Sequence, residues 1–163
     1  MKPLFNLFLR LARCSSGNAF VEMAIILPVA ISLMAGGVDF GLWASTQATG
    51  SKSVRNAARY MGSLPTNIGC PGWAVQNAQY LAVYGQMNAG TPLIPTWQTS
   101  NVTVTCAPFT DAEGNAVTTV TVRATFPYNS IMLATFLRAG SLTLSTQHEE
   151  LQVGPLQAKV FVP

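Results

Sequence analysis

The residues of the C-terminal half that could do chemistry are few and poorly arranged for it. His148 is the only histidine of the chain, which excludes a metal site built from several histidines. Asp111 and Glu113 fall in a predicted turn, whereas Glu149 and Glu150 are neighbours that point to opposite faces of a predicted strand. We interpret the run QHEE as a solvated strand end. The sequence therefore predicts no metal site, no cofactor and no enzymatic activity.

Glu22 is a carboxylate at the start of an otherwise apolar run. No residue from 23 to 38 is ionisable, and Asp39 ends the run. A charge near the middle of a bilayer costs about 2.5–3.5 kcal/mol on insertion scales, so both acids need a favourable position. The uncharged run is shorter than the ~20 residues that span a bilayer, but residues 19–44 are long enough if both acids lie near the interfaces. We interpret Asp39 as an interfacial residue; a contact between subunits is the alternative.

The composition agrees with a membrane-bound or assembly-bound protein. The 163 residues suffice for one modest domain. Apolar residues make up 49% and charged residues 9% of the chain, whereas an average soluble domain has about 25% charged residues. The net charge of +3 is small and the basic residues form no patch with interleaved aromatic residues, which excludes nucleic acid as a partner.

Basic residues precede the apolar run, at Lys2, Arg10 and Arg13. They favour a cytoplasmic N-terminus, so that the chain after Ala44 lies on the other side of the membrane. A secretory signal has the same basic start and apolar core, but no clear A-x-A cleavage site follows here. Helical sequence continues instead.

A long helix is predicted from about Asn18 to Tyr60, ended by Gly62 and Pro65. Its length is on the order of 60 Å, about twice the hydrocarbon thickness, so half would lie in lipid and half would project. Pro28 should kink the helix locally, which membrane helices tolerate. Close approach of another helix is expected at the glycines Gly36, Gly37 and Gly41.

The rest of the chain predicts a small domain that contains a sheet. Residues 73–88 have a helical period, and residues 89–97 contain two prolines and form a connector. Alternation of period two then predicts antiparallel strands within residues 101–108, 116–126 and 141–151. Val102, Val104 and Cys106 share one face of the first strand, and Thr103 and Thr105 the other.

The fold class is therefore α+β: a long N-terminal helix, a second short helix and a small antiparallel C-terminal sheet. The second helix or the projecting half of the first would cover one face of the sheet. Residues 127–140 form either a short helix or an apolar loop. The tail after the third strand either pairs as a further edge or hangs free.

The N-terminal part resembles a known family. A basic leader, then Gly17, then a glutamate at the fifth position after it and an apolar helix, is the layout of type IV prepilins. The stretch GNAFVEMAIILPVAISLMAGGVDFGLW is similar to the TadE family of minor pseudopilins of the tight-adherence (Flp) pilus. VRNAARYMG resembles that family's A-R-x-G-A-R-Y segment, although Asn56 stands where an acid often occurs and Ala57 replaces the glycine. The resemblance covers roughly residues 13–62.

The resemblance implies that a prepilin peptidase of the inner membrane cuts between Gly17 and Asn18 and removes the leader, residues 1–17. Glu22 would then pair with the new α-amine of Asn18, on its own helix or on a neighbouring subunit. A helix-capping role for Glu22 is the alternative. The implied partners are the peptidase, other pilins and pseudopilins, the inner-membrane assembly platform and membrane lipid.

Cleavage would also settle the odd cysteine count. Cys14 belongs to the leader, so Cys70 and Cys106 remain as an even pair. We expect them to form a disulfide in the oxidising periplasm; two unrelated buried thiols are the alternative. Trp73 and Trp97 flank the second helix and are interpreted as core or interface anchors.

The resemblance implies a structural function, as a minor pseudopilin that takes part in pilus initiation or assembly. Its parts would be the leader, a helical stem (residues 18–62) and a periplasmic α+β head (residues 63–163), which is large compared with a major Flp pilin. The chain would be a single-pass inner-membrane protein that either enters the fibre or stays at its base. A signal-anchored periplasmic binding module that is not processed is the second hypothesis. A membrane-tethered enzyme has no catalytic constellation to support it.

Overall fold

The computed structural model describes residues 18–65, 68–110, 112, 114, 116–130 and 142–153. Within them the chain forms two α-helices, a short 3-10 helix and a three-stranded antiparallel sheet, so the predicted α+β class is confirmed. The elements in chain order are α1 (Asn18–Gly62), α2 (Gly72–Tyr84), the 3-10 helix (Thr99–Asn101), β1 (Val102–Thr110), β2 (Ala116–Tyr128) and β3 (Leu142–Gln152). Three predicted segments lie wholly or mostly outside the described residues: the leader (residues 1–17), the helix or loop predicted for residues 127–140, and the tail after the third strand.

The chain divides into two compact units between Gly41 and Leu42. α1 runs through this division, because it extends from Asn18 to Gly62. The described part of the first unit is the beginning of α1. The end of α1, from Leu42 onward, belongs to the second unit together with α2 and the sheet.

The described part of the first unit exposes apolar side chains on all its sides. Phe20 is 82% exposed and Met34 is 74% exposed, and the apolar residues between them are exposed to a similar degree. A helix that is apolar all round is stable only inside a protein core or a membrane. Within the described ranges α1 is the one helix that is long and apolar enough to cross a membrane, with a mean hydropathy of 2.1 in its most apolar window.

Glycine and proline set the ends of the helices. α1 ends at Gly62, shortly before Pro65, as predicted. α2 follows Pro71, whose extended backbone precedes the first helical turn. Gly85 adopts a left-handed conformation with φ of 70°, and its N–H closes the last turn of α2. The predicted extension of this helix to Asn88 is therefore wrong, because a left-handed residue stops an α-helix.

β2 is the central strand of the sheet, which has the order β1-β2-β3. The register places Val120 between Cys106 of β1 and Glu150 of β3. The alternation predicted for β1 is confirmed: Val102 is buried and Thr103 is exposed, and the strand continues in this period up to Cys106. The sheet thus has one face that points to the core and one that is largely polar.

Both helices cover the core-facing side of the sheet in the second unit. α2 contributes alanines to this core, whose small side chains let it lie close to its neighbours. Trp97, from the connector, packs against Phe126 of β2 with their ring centroids 5.2 Å apart. The core residues of α1 and β2 are Val54, Ala57, Ala58, Met61, Val120, Val122, Ala124 and Phe126.

Candidate assembly site

The start of α1 brings together the two positions of the predicted charge pair. Asn18 is the first residue of the helix, and Glu22 follows one turn later, so both positions lie on the same side. Glu22 is exposed, and no other described residue makes a hydrogen bond or ion pair with its side chain. Gly17, the residue before the predicted cut, lies outside the described residues.

The glycines of α1 leave open space on the helix surface. A Cβ added at Gly36, Gly37 or Gly41 would meet no atom within 4 Å. Gly37 and Gly41 are one turn apart, so their backbones form one flat strip on the helix. Small residues in this spacing let the backbone of a second helix approach closely.

Pro28 and Asp39 are the other two residues predicted to matter for the packing of α1. Pro28 lies inside the helix, and the hydroxyl of Ser32 donates a hydrogen bond of 2.8 Å to its carbonyl oxygen. Asp39 is half-buried, and it lies two residues from each glycine in the sequence, on the side of the helix opposite to the flat strip. By the rise of an α-helix, Glu22 and Asp39 are about 25 Å apart along the axis, slightly less than the hydrocarbon thickness of about 30 Å.

Cys70 and Cys106 form a disulfide whose Cα atoms are 6.0 Å apart. The bond connects the segment between α1 and α2 to β1 and closes a loop with a sequence separation of 36. Both residues are partly buried and pack against the core of the second unit. This is the pair that the even cysteine count of a processed chain suggests.

The QHEE run lies within β3 rather than at its end. His148 and Glu150 point to the core side of the sheet, where Nε2 of His148 is 3.2 Å from an Oε atom of Glu150. Glu149 is exposed on the opposite face, so the two adjacent acids diverge as predicted. The run was predicted to be a solvated strand end. Glu149 is exposed to solvent as predicted, whereas His148 and Glu150 are half-buried. In the part of the chain that the structure describes, no group of three or more potential ligands could hold a metal ion.

The two tryptophans near α2 differ in their surroundings. Trp97 is 1% exposed and belongs to the core of the second unit. Trp73 lies in the first turn of α2 and is 53% exposed. Of the two, Trp97 is therefore a core anchor, and Trp73 is available on the surface of the unit.

A groove of about 390 Å³ in the second unit was not found from the sequence. One wall is a polar stripe of α1 with the residues Ser45, Thr49, Lys52, Ser53 and Asn56. The other wall includes Leu81 of α2 and Leu93 of the connector. The helical spacing of the polar stripe is visible in the sequence, but the opposite wall depends on how α2 and the connector fold back.

Residues 17–59 match the family model described as TadE-like protein, which confirms the resemblance in this part of the chain. The match begins at Gly17 and ends shortly before the end of α1. The match covers about a quarter of the chain and is consistent with a TadE-like protein of a Tad pilus system. No curated protein and no solved structure matches the chain.

Proposed function

We propose that this chain is a minor pseudopilin of a Tad/Flp type IV pilus, cut by a prepilin peptidase after Gly17 and used in pilus initiation or assembly. One observation carries the proposal. The family match begins at Gly17, and the helix that follows exposes apolar side chains all round and has an acid in its second turn. Such a helix needs lipid or other helices around it.

The beginning of α1 is the membrane anchor, with a span of about residues 19–44. Lys2, Arg10 and Arg13 keep the N-terminus in the cytoplasm, so the second unit lies in the periplasm. The disulfide between Cys70 and Cys106 fits that oxidising compartment.

Glu22 compensates the charge that the cut creates. Cleavage after Gly17 leaves a cationic α-amine on Asn18, one helical turn from the carboxylate. When the helix leaves lipid and enters a bundle of pilin helices, both charges lose water, and the attraction between them offsets part of that cost. The exposed carboxylate of Glu22 can pair with the amine of its own chain or of a neighbour.

The flat glycine strip of α1 gives the helix a surface for packing in such a bundle. Gly37 and Gly41 let a neighbouring helix reach close backbone contact, which small residues favour in membranes and in apolar bundles. The second unit, with its own core and disulfide, determines which partners fit above the membrane. Its size favours a minor subunit that acts with other pilins and the inner-membrane assembly platform.

The mass of the membrane-extracted protein tests the proposal. We expect loss of residues 1–17 in cells that contain a prepilin peptidase, and an intact chain in cells that lack it. Gly17→Ala should block the cut, because the peptidase requires glycine before the scissile bond, whereas the adjacent Ser16→Ala should be cut normally. An intact N-terminus in the presence of the peptidase would favour a signal-anchored periplasmic module instead.

A further inference from the structure

β1 lies at one edge of the sheet, and its first residue shows where its backbone groups point. Val102 lies opposite Ala124 of β2. Yet its N–H donates to the carbonyl oxygen of Thr99, and its carbonyl oxygen accepts a hydrogen bond of 2.9 Å from Nε2 of Gln79. Both groups therefore point away from β2. Because this direction alternates along an antiparallel strand, the even-numbered residues of β1 direct their backbone groups to the free edge of the sheet.

The opposite edge of the sheet supports this assignment. In β3 the carbonyl oxygen of Ser145 accepts a hydrogen bond from Gln47. Just after β3 the N–H of Val153 donates a hydrogen bond of 3.2 Å to the carbonyl oxygen of Gly62. The odd-numbered residues of β3 therefore point outward, and the even-numbered ones bond to β2. Ala124 lies opposite an even-numbered residue of β3, so its backbone groups are directed to β3 and away from β1.

The free edge of β1 has no strand beside it among the described residues. The residues that direct their backbone groups there are Val104, Cys106, Pro108 and Thr110, and no other described residue forms a backbone hydrogen bond with them on that side. The N–H that Pro108 lacks would lie at this edge, so the proline costs no hydrogen bond to β2. Val104 and Cys106 face the core but are partly exposed. One more strand beside β1 would bond to these backbone groups and cover both side chains.

The edge of β3 is less suited to an added strand. Part of it is already bonded, because Ser145 and Val153 use backbone groups for contacts with α1. β3 also carries Glu149 and Glu150, and charged side chains discourage the pairing of sheet edges. β1 contains no charged residue from Val102 to Thr110. An incoming strand is therefore favoured at β1.

The tail after β3, residues 154–163, has the sequence of a short strand preceded by a turn. Gly154 and Pro155 are turn residues. In the second half of the tail, small or β-branched residues alternate with larger ones: Ala158, Val160 and Val162 with Lys159 and Phe161. β1 and β3 run in the same direction, because both are antiparallel to β2. A tail that turns back after β3 therefore runs antiparallel to β1.

We propose that residues 158–162 of one copy pair with β1 of a second copy as an added antiparallel strand. In this register Val160 lies opposite Cys106. Val162 lies opposite Val104, and each of the two pairs exchanges both of its backbone hydrogen bonds. The valine side chains of the tail then cover the partly exposed Val104 and the disulfide at Cys106, so the core is closed at the free edge.

The same register accommodates the proline of β1. Ala158 lies opposite Pro108 and donates its N–H to the carbonyl oxygen of the proline, while its own carbonyl oxygen stays in water. Lys159 lies opposite Ala107 in a pair without hydrogen bonds, where the Cα atoms of antiparallel strands are about 4.5 Å apart. Ala107 is exposed on the outer face of the sheet, so Lys159 extends into solvent.

The distance from β3 favours a second copy over the chain's own tail. A strand beside β1 is three strand spacings away from β3, which is about 14 Å in a straight line. The five residues from Gly154 to Ala158 span at most about 18 Å. Their path must also pass around the β1–β2 hairpin, which extends beyond the last pair of β3, or rise over the side chains of one sheet face. A neighbouring copy places its tail at this edge without that detour.

The exchange links second units in a row, because each copy gives one tail and receives another. A contact of this heterologous kind continues from copy to copy unless the rotation closes a ring. It adds a connection between subunits that goes beyond the proposed function, and it does not depend on the cut after Gly17.

Cysteine crosslinking between two copies of the full chain tests the proposal. One copy carries Ala107→Cys and a second copy with a different tag carries Lys159→Cys. Both carry Cys14→Ser, and they are expressed together in the membrane. The Cα distance expected for the pair is within the range that a disulfide requires. We expect an oxidised dimer that contains both tags and that dithiothreitol separates.

Thr119→Cys replaces Ala107→Cys in the matched control. Thr119 lies opposite Ala107 on β2, one strand further from the tail, so a disulfide to residue 159 is out of reach and the dimer should be lost. Equal amounts of dimer with both partners would show unspecific collision and overturn the proposal. Absence of a dimer with Ala107→Cys would overturn it as well.

Two further variants identify other occupants of the edge. A dimer formed by Ala107→Cys alone would show that β1 pairs with β1 of another copy. An internal disulfide in a chain that carries Ala107→Cys with Lys159→Cys, without dimers, would assign the strand to the chain's own tail. Either result would overturn the exchange between copies.

Amide hydrogen exchange gives a second measurement without added cysteines. In a chain that ends after Val153, the N–H groups of Val104 and Cys106 should exchange at least about tenfold faster than in the full chain. Val120, whose N–H is directed to β3, is the internal control and should exchange equally in both chains. Unchanged exchange at Val104 and Cys106 would contradict the added strand.

The mass of the same samples separates this proposal from the proposed function. Absence of the crosslink, with residues 1–17 removed normally, would overturn the exchange of strands and leave the pilin function standing. Crosslinked dimers of an uncut chain, in cells that contain the peptidase, would contradict the pilin function and leave the exchange of strands standing.

Discussion

The ring of Phe126 lies against the backbone of Gly50, in the space that a Cβ of that residue would occupy. Gly50 belongs to α1 and to the segment that matches the TadE-like model, and Phe126 lies on the central strand. Phe126 also contacts the ring of Trp97, with the ring centroids 5.2 Å apart. Because glycine has no side chain, α1 can approach the sheet here closely enough for the aromatic pair to close the core.

Gly50→Ala should therefore destabilise the second unit. The added methyl group meets an aromatic ring that is held by its neighbours, and overpacking of this kind costs about 1–3 kcal/mol. The higher helix propensity of alanine offsets about 1 kcal/mol of this cost. We expect a lower free energy of unfolding, measured by denaturant titration of the detergent-solubilised chain with tryptophan fluorescence.

Gly72→Ala is the control for this substitution. Gly72 is the first residue of α2, and a Cβ there meets no atom within 4 Å. The change should leave the free energy of unfolding unchanged or raise it slightly. Equal stability of Gly50→Ala and Gly72→Ala would contradict the packing described for Phe126.

The disulfide should supply a large part of the stability of the second unit. Cys70 and Cys106 close a loop with a sequence separation of 36, for which the chain-entropy relation gives about 3–4 kcal/mol. The double variant Cys70→Ser with Cys106→Ser should unfold at clearly lower denaturant concentration, and dithiothreitol should lower the midpoint of the wild type similarly. Cys14→Ser is the control and should not change the midpoint. A midpoint of the wild type that does not respond to dithiothreitol would contradict the prediction.

The strongest local signals of the sequence predicted most of the fold. The apolar run and the helical pattern up to Gly62 define α1, and the valine–threonine alternation defines β1. Two features needed tertiary information. The role of Gly50 depends on the position of Phe126, far away in the sequence, and the groove beside Lys52 depends on a wall that other elements supply.

Only part of the candidate assembly site and its neighbouring residues could be predicted from the sequence. The spacing of Gly17 and Glu22, the basic leader and the apolar helix together suggested the family, because all three are local signals of the sequence. The half-burial of His148 was not predictable, because it depends on the register of β3 against β2 and on the helices above that face.

Trp97 and Trp73 offer a matched pair of substitutions. Trp97 is buried against Phe126, so Trp97→Ala should cost about 3–5 kcal/mol through lost contacts and a cavity. Trp73 is 53% exposed, and Trp73→Ala should change the free energy of unfolding by less than about 1 kcal/mol. Both values follow from denaturant unfolding monitored by circular dichroism, which does not depend on the number of tryptophans. Similar effects of the two substitutions would show that the assignment of the core is wrong.

Glu22→Gln separates processing from assembly, since glutamine keeps the size of the side chain and removes its charge. The cut after Gly17 should proceed normally, so the membrane-extracted variant should have the mass of the processed chain. Assembly should suffer, because an ammonium on Asn18 without a partner costs several kcal/mol inside a bundle of helices. In a strain that carries only this variant, we expect the pili recovered by shearing to fall at least about tenfold, which corresponds to about 1.4 kcal/mol.

Asp39→Asn is the matched control for the charge pair, because it removes the other acid of the same apolar helix. If Asp39 is an interfacial residue, this variant should give normal amounts of pili. A loss confined to Glu22→Gln supports the pairing of Glu22 with the new amine of Asn18, since both variants change the net charge of the helix equally. Normal piliation with Glu22→Gln would refute the charge pair. Equal loss of pili in both variants would also refute it and would attribute the defect to the charge of the helix as a whole.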